Sequence, residues 1–105
     1  MTCIPIVIPS LNPDEELIAL INRLMIHTGK IEQPIILVND GSAKKYDSIF
    51  SKIQTRYQVT ILQHDVNLGK GRAIKTAINY IIKHIPTAAG MITIDSDGQH
   101  TVDDM

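Results

Sequence analysis

Four short apolar runs constrain this chain more than any other feature: Ile4-Pro5-Ile6-Val7-Ile8, Ile35-Ile36-Leu37-Val38, Val59-Thr60-Ile61-Leu62 and Met91-Ile92-Thr93-Ile94. None alternates apolar with polar residues, as a strand with one wet face does. Near-continuous runs of this length read as parallel strands covered on both faces. Parallel neighbours need a crossover rather than a tight turn, and the segments between the runs carry helical periodicity. Leu17, Leu20, Ile21, Leu24 and Met25 recur at helical spacing after the first run. Asn12 is the expected N-cap there, Pro13 suits the first helical position, Glu15 completes a capping box and Gly29 marks the stop. Tyr46, Ile49, Phe50, Ile53 and Tyr57 predict a second helix. Ala73, Ile74, Ala77, Ile78, Ile81 and Ile82 predict a third, ending before Pro86. The resulting βαβαβαβ order predicts an α/β fold, an open parallel four-stranded sheet with right-handed crossovers and helices on both faces.

A length of 105 residues allows one small domain over 1–105, with a real core. Thr101-Val102-Asp103-Asp104-Met105 reads as the first turn of another helix, with Thr101 as cap and acids at the positive end. The expectation is a piece of a longer polypeptide, truncated at its C-terminal end. The formal net charge is -1, the basic residues are scattered and aromatics are scarce, so nucleic acid is not an expected partner. Cys3 stands alone, which excludes an internal disulfide or a cysteine-based metal site and fits a reducing compartment. No apolar stretch approaches the roughly 18 residues of a membrane span, and no secretory signal is recognisable. A cytoplasmic location is the expectation.

In open parallel sheets, ligands bind beyond the carboxyl ends of the strands, near the switch in strand order. Here every run ends in chemistry-bearing residues. The first leads into Pro9-Ser10-Leu11-Asn12 and the second into Asn39-Asp40-Gly41-Ser42. The third leads to His64-Asp65-Val66-Asn67-Leu68-Gly69-Lys70-Gly71-Arg72, and the fourth to Asp95-Ser96-Asp97-Gly98-Gln99-His100. Asp95 and Asp97, one residue apart at the mouth of a buried strand, suit a divalent cation that carries phosphate oxygens. A polar turn with Gly98 at positive φ is the plain alternative. The spacing is not that of an EF-hand, since Gly comes fourth and no Glu closes the loop.

Asp40 at a strand end can accept hydrogen bonds from a base N–H or ribose hydroxyls, while Ser42 can simply cap the second helix. Gly69, Lys70, Gly71 and Arg72 open the third helix with close-approach glycines and cations, which fits contact with an anionic nucleotide. They match neither the Walker A pattern nor G-x-G-x-x-G. His100 is a secondary candidate for metal or pyrophosphate. His27, His64 and His84 show no metal-ligand spacing, and Cys3 reads as a packed thiol. Glu15 and Glu16 read as N-terminal helix charge.

Together the segments Ile6-Val7-Ile8-Pro9-Ser10-Leu11-Asn12, Val38-Asn39-Asp40-Gly41-Ser42, Asn67-Leu68-Gly69-Lys70-Gly71-Arg72-Ala73 and Ile94-Asp95-Ser96-Asp97-Gly98-Gln99-His100 resemble, in order and spacing, the N-terminal half of a family 2 glycosyltransferase. The last motif is closest in style to transferases acting on polyprenyl or dolichyl phosphate. The resemblance implies a Rossmann-like GT-A fold that binds a nucleoside-diphosphate sugar. It implies that Pro9, Ser10 and Asn12 line the base pocket, that Asp40 binds base or ribose, and that Gly69 and Lys70 border the nucleotide. Asp95 and Asp97 correspond to the family's D-x-D, which holds Mg2+ or Mn2+ on the diphosphate, Asp95 also reaching the nucleotide. The chain departs from the pattern at Leu11, where an aromatic is common, and at Pro13-Asp14, which intervene before Glu15.

Three readings follow. The first is the donor-binding part of a metal-dependent, inverting glycosyltransferase using a UDP- or GDP-linked sugar, with a polyprenyl phosphate as possible acceptor. The general base and acceptor site would then lie beyond this chain. The second is a non-catalytic nucleotide- or metal-binding fragment. The third is a phosphoacceptor or phosphatase domain with a strand-end Asp nucleophile, although such folds place that residue after the first or third strand. A sheet separated from its partner half would expose apolar surface, so self-association is also expected.

Overall fold

The computed structural model describes residues 3–27 and 34–94. Its elements are β1 (Ile6–Ser10), α1 (Glu15–His27), β2 (Ile35–Asp40), a 3-10 turn (Lys44–Tyr46), α2 (Asp47–Arg56), β3 (Thr60–His64), α3 (Lys70–His84) and β4 (Ile92–Thr93). The strands form one parallel sheet in the order β3-β2-β1-β4. The chain therefore winds outward from β1 through β2 to β3, and α3 carries it back across to the far side of β1.

Burial on both faces follows from the alternation of side chains along each strand. Ile6, Ile8, Ile35 and Leu37 pack with Leu17, Ile21 and Leu24 of α1 and with Ile49, Phe50 and Ile53 of α2. Val7, Ile36 and Val38 face the other way, onto Ala73, Ala77 and Ile81 of α3. All six residues of β2 are buried, and its first four, Ile35 to Val38, read as an unbroken apolar run. Cys3 is buried and pairs with Ala88 in an isolated parallel bridge, so the thiol is a packing group.

Two local expectations are corrected. Asn12 is not the cap of α1: the Asp14 carboxylate accepts from Glu16 N at 2.9 Å, and the helix begins at Glu15. Asn12 instead holds a left-handed φ of 50° and bonds to another loop. Ser42 does not cap α2, which is entered through the 3-10 turn with no side-chain cap. The third helix buries Ala73, Ala77 and Ile81, whereas Ile78 is 37% and Ile82 70% exposed. Two alanines let α3 lie close to the sheet, and a helix that close covers only a narrow stripe.

Candidate functional site

β1 is the switch point of the sheet, with β2 on one side and β4 on the other. The chain leaves β1 toward β2, while β4 lies on the other side of β1, and in open α/β sheets ligands bind beyond the carboxyl ends of the strands at such a point. β4 reaches that level with Ile94 N donating to Val7 O at 3.0 Å. Asp95 follows next in sequence. Asp95, Asp97 and His100 lie outside the described residues.

Ser10 closes β1 with 2% of its surface exposed. Its hydroxyl is buried without a hydrogen-bond partner. Such a group is costly unless something else supplies the partner. Pro9 precedes it, buried in the strand.

Three loops interlock along the same edge. Asn12 N donates to Ser42 Oγ at 2.9 Å, and Ala43 N donates to Asn12 Oδ1 at 2.9 Å. Ser42 N in turn donates to Asn39 Oδ1 at 3.0 Å. The left-handed backbone that Asn tolerates best is therefore fixed by two bonds to the loop after β2.

The loop after β2 then grips the loop before α3. Asp40 is 4% exposed, and its Oδ1 accepts from Leu68 N at 2.9 Å and from His64 Nδ1 at 2.8 Å. Its Oδ2 accepts from Gly69 N at 3.0 Å, an N–H that Asn67 Oδ1 also receives. Burial pushes the Asp40 carboxyl up, but the hydrogen bonds from Leu68, His64 and Gly69 and the charge of His64 outweigh it. The group sits below its ordinary value and is ionised at neutral pH.

Gly41 has φ +73°, and a methyl group there would collide with the backbone of Val66 and Asn67. Gly69 has φ +96° but open space around it. One glycine serves a close approach and the other a backbone path.

The sequence-predicted residues thus divide. Pro9, Ser10, Asn12, Asp40, Gly69 and Lys70 all lie along the carboxyl edge, Lys70 as the exposed first residue of α3. Asp40 and Gly69 touch directly. The amides of Leu68 and Gly69 are already engaged by the Asp40 carboxylate. His64 and Thr76 belong to the network and were missed, because no sequence spacing links them. Register does: Asp40 pairs with His64 across β2 and β3. Among the described residues, no group of three or more His, Cys, Asp and Glu is placed to hold a metal ion.

The model of glycosyl transferase family 2 matches residues 6–105. The chain belongs to that family. The crystal structure of S. aureus TarS superposes with a TM-score of 0.67 at 21% identity, over 92% of this chain and 17% of that one. At that identity the likeness establishes the fold, and the chain spans about a sixth of the protein it matches. No curated protein matches. The resemblance carried by the four strand-end motifs is thus borne out at the level of family and of the parallel α/β sheet. Among the described residues of this family 2 chain, no helix is long and apolar enough to cross a membrane.

Proposed function

We propose that this chain is the donor-binding part of a metal-dependent, inverting glycosyltransferase that uses a UDP- or GDP-linked sugar. One observation carries the reading: a buried, unpartnered Ser10 hydroxyl lies at the switch point, on the strand beside the one that leads into Asp95-Ser96-Asp97. A nucleoside supplies the hydrogen-bond partner that the hydroxyl lacks.

In this reading Pro9 and Ser10 line the base, Asn12 holds the pocket's outer loop, and Gly69 and Lys70 border the nucleotide. An ionised carboxylate has about four acceptor positions. Three at Asp40 are filled by the protein, so the remaining position on Oδ2 receives one ligand N–H or ribose hydroxyl. Asp95 and Asp97 would hold Mg2+ or Mn2+, and an all-oxygen donor pair is the chemistry such hard cations favour. When bound, the cation supplies charge neutralisation to the departing nucleoside diphosphate.

The acceptor proposed is a polyprenyl phosphate at the cytoplasmic face of a membrane. Its anionic oxygen attacks the anomeric carbon from the face opposite the diphosphate, and the bond to the diphosphate breaks. An anionic acceptor has no proton to lose, so this substrate class needs no general base from the chain.

Calorimetry with UDP, GDP and their sugar conjugates, with and without Mn2+, tests the donor site. Metal-dependent binding that Asp97→Asn abolishes and Ser10→Ala weakens is the expected result. A folded chain that binds none of these ligands overturns the reading. Binding without sugar transfer to a polyprenyl phosphate would favour a non-catalytic nucleotide-binding fragment.

A further inference from the structure

We propose that His64 is a positioning residue for the donor site, fixing the Asp40 carboxylate and, through it, the Leu68–Gly69 backbone beside the nucleotide. The proposal rests on the donor-site reading above. His64 closes β3 opposite Asp40 in the sheet register, and both its ring nitrogens are engaged. Nδ1 lies 2.8 Å from Asp40 Oδ1 and Nε2 lies 2.8 Å from Thr76 Oγ1 of α3. The His64 and Asp40 side chains are only 9% and 5% exposed.

An ionised carboxylate only accepts, so Nδ1 carries the proton at that contact. A threonine hydroxyl both donates and accepts, so it can satisfy Nε2 whether or not that nitrogen is protonated. The ring is thereby locked between a strand end and a helix, and it fixes one oxygen of the carboxylate. The last torsion of an Asp side chain is broad and nearly two-fold, so without His64 only the amides of the loop itself set the angle of the carboxylate. Turning it would misalign the bonds to Leu68 N and Gly69 N together. Asp40 Oδ2, the oxygen with acceptor capacity left, would lose its aim as well. His64 therefore touches no ligand in this account and acts through Asp40.

The test uses the full chain with His64→Ala, His64→Asn, His64→Gln and Thr76→Val. The side-chain amide nitrogen of Asn falls near the position of Nδ1, and that of Gln near Nε2. Amide hydrogen exchange without ligand reads the loop, and calorimetry with nucleotide and Mn2+ reads the site. His64→Ala is expected to lower protection at Leu68 and Gly69 by roughly ten- to a hundredfold, the worth of a hydrogen bond to a charged group. Leu37 in β2 is expected to keep its protection, and nucleotide affinity to weaken. His64→Asn restores both readouts, His64→Gln restores neither, and Thr76→Val gives a smaller loss in the same direction.

Unchanged protection at Leu68 and Gly69 in His64→Ala overturns the proposal. So does a uniform loss across all amides that Asn and Gln repair equally, because that marks a merely structural histidine. Should the Ala variant not fold, the Asn and Gln pair decides by the same two readouts. If the wild type binds no nucleotide, the donor reading fails, and with it the functional part of the proposal. The exchange data would still show whether His64 sets the loop.

Discussion

Gly41→Ala probes the contact that holds the carboxyl edge together. Two costs add. Placing an L side chain at φ +73° costs about 1–2 kcal/mol. The new methyl also meets the backbone of Val66 and Asn67, which cannot swing aside as a flexible side chain would. The 65–69 segment must retreat, and its bonds from Leu68 N and Gly69 N to Asp40 lengthen or break. Hydrogen bonds to a charged group are worth about 1.5–3 kcal/mol each. Losing one of them in full brings the expected total to about 2.5–5 kcal/mol.

Gly69→Ala is the internal control. It has φ +96° and nothing within 4 Å of an added Cβ, so only the backbone cost applies, of order 1–3 kcal/mol. Far-UV circular dichroism in urea suits a chain without tryptophan. Thermal scans give a second reading, since 1 kcal/mol moves the midpoint of a domain this size by roughly 4–8 °C. Gly41→Ala should be the more damaging and should also weaken nucleotide binding. A Gly41→Ala loss no larger than that of Gly69→Ala would refute the close-approach argument.

Asp40→Asn should flatten the acid limb of stability. The folded carboxyl lies below its ordinary value of 3.8, so its contribution is complete above that pH and is lost as pH falls through the lower folded value. Urea midpoints between about pH 6 and about pH 2 should fall in the wild type and change less in the variant. Ser10→Ala should leave the ligand-free chain as stable or slightly more stable, because it removes an unpartnered buried hydroxyl, while nucleotide affinity drops. Equal losses in both measurements would contradict that role. Ile53→Ala, at a fully buried core position, should cost about 2–5 kcal/mol in the same urea series. Ile82→Ser, at a position 70% exposed, should leave stability unchanged and reduce any self-association through α3 seen by sedimentation velocity. A clean monomer at high concentration removes the self-association expectation.

The sheet was readable because its information is local. A strand covered on both faces is apolar wherever it meets side chains rather than loops, and β2 shows that from Ile35 to Val38 without help from elsewhere in the chain. The helices were readable for the same reason, with apolar residues returning at helical spacing. Asn12 shows where such reading stops. Its sequence neighbours, Pro13 and Glu15, satisfy every local rule for a cap, yet its partners are Ser42 and Ala43, some thirty residues away. The capping bond it was expected to make is supplied by Asp14, a residue equally suited to it. Local rules could not choose between the two because the deciding contact is long-range. His64 was invisible on the same grounds, since its pairing with Asp40 exists only once β2 and β3 are in register.

The buried polar residues argue for where the site lies. Among the described residues they are Ser10, Asn39 and Asp40, all at the carboxyl ends of β1 and β2. Burying such groups is unfavourable unless each is hydrogen-bonded. Asn39 accepts from Ser42, and Asp40 accepts three bonds from the third loop and His64. Those two serve the protein's own loops and hold the edge in shape. Ser10 alone has no protein partner, and it stands at the strand on which the sheet reverses its order. Packing alone would favour alanine or valine at that position, because either fills the space without stranding a hydroxyl. A serine there makes sense if the missing partner arrives with a ligand, and the carboxyl end of β1, where the strand order reverses, is where this topology brings one.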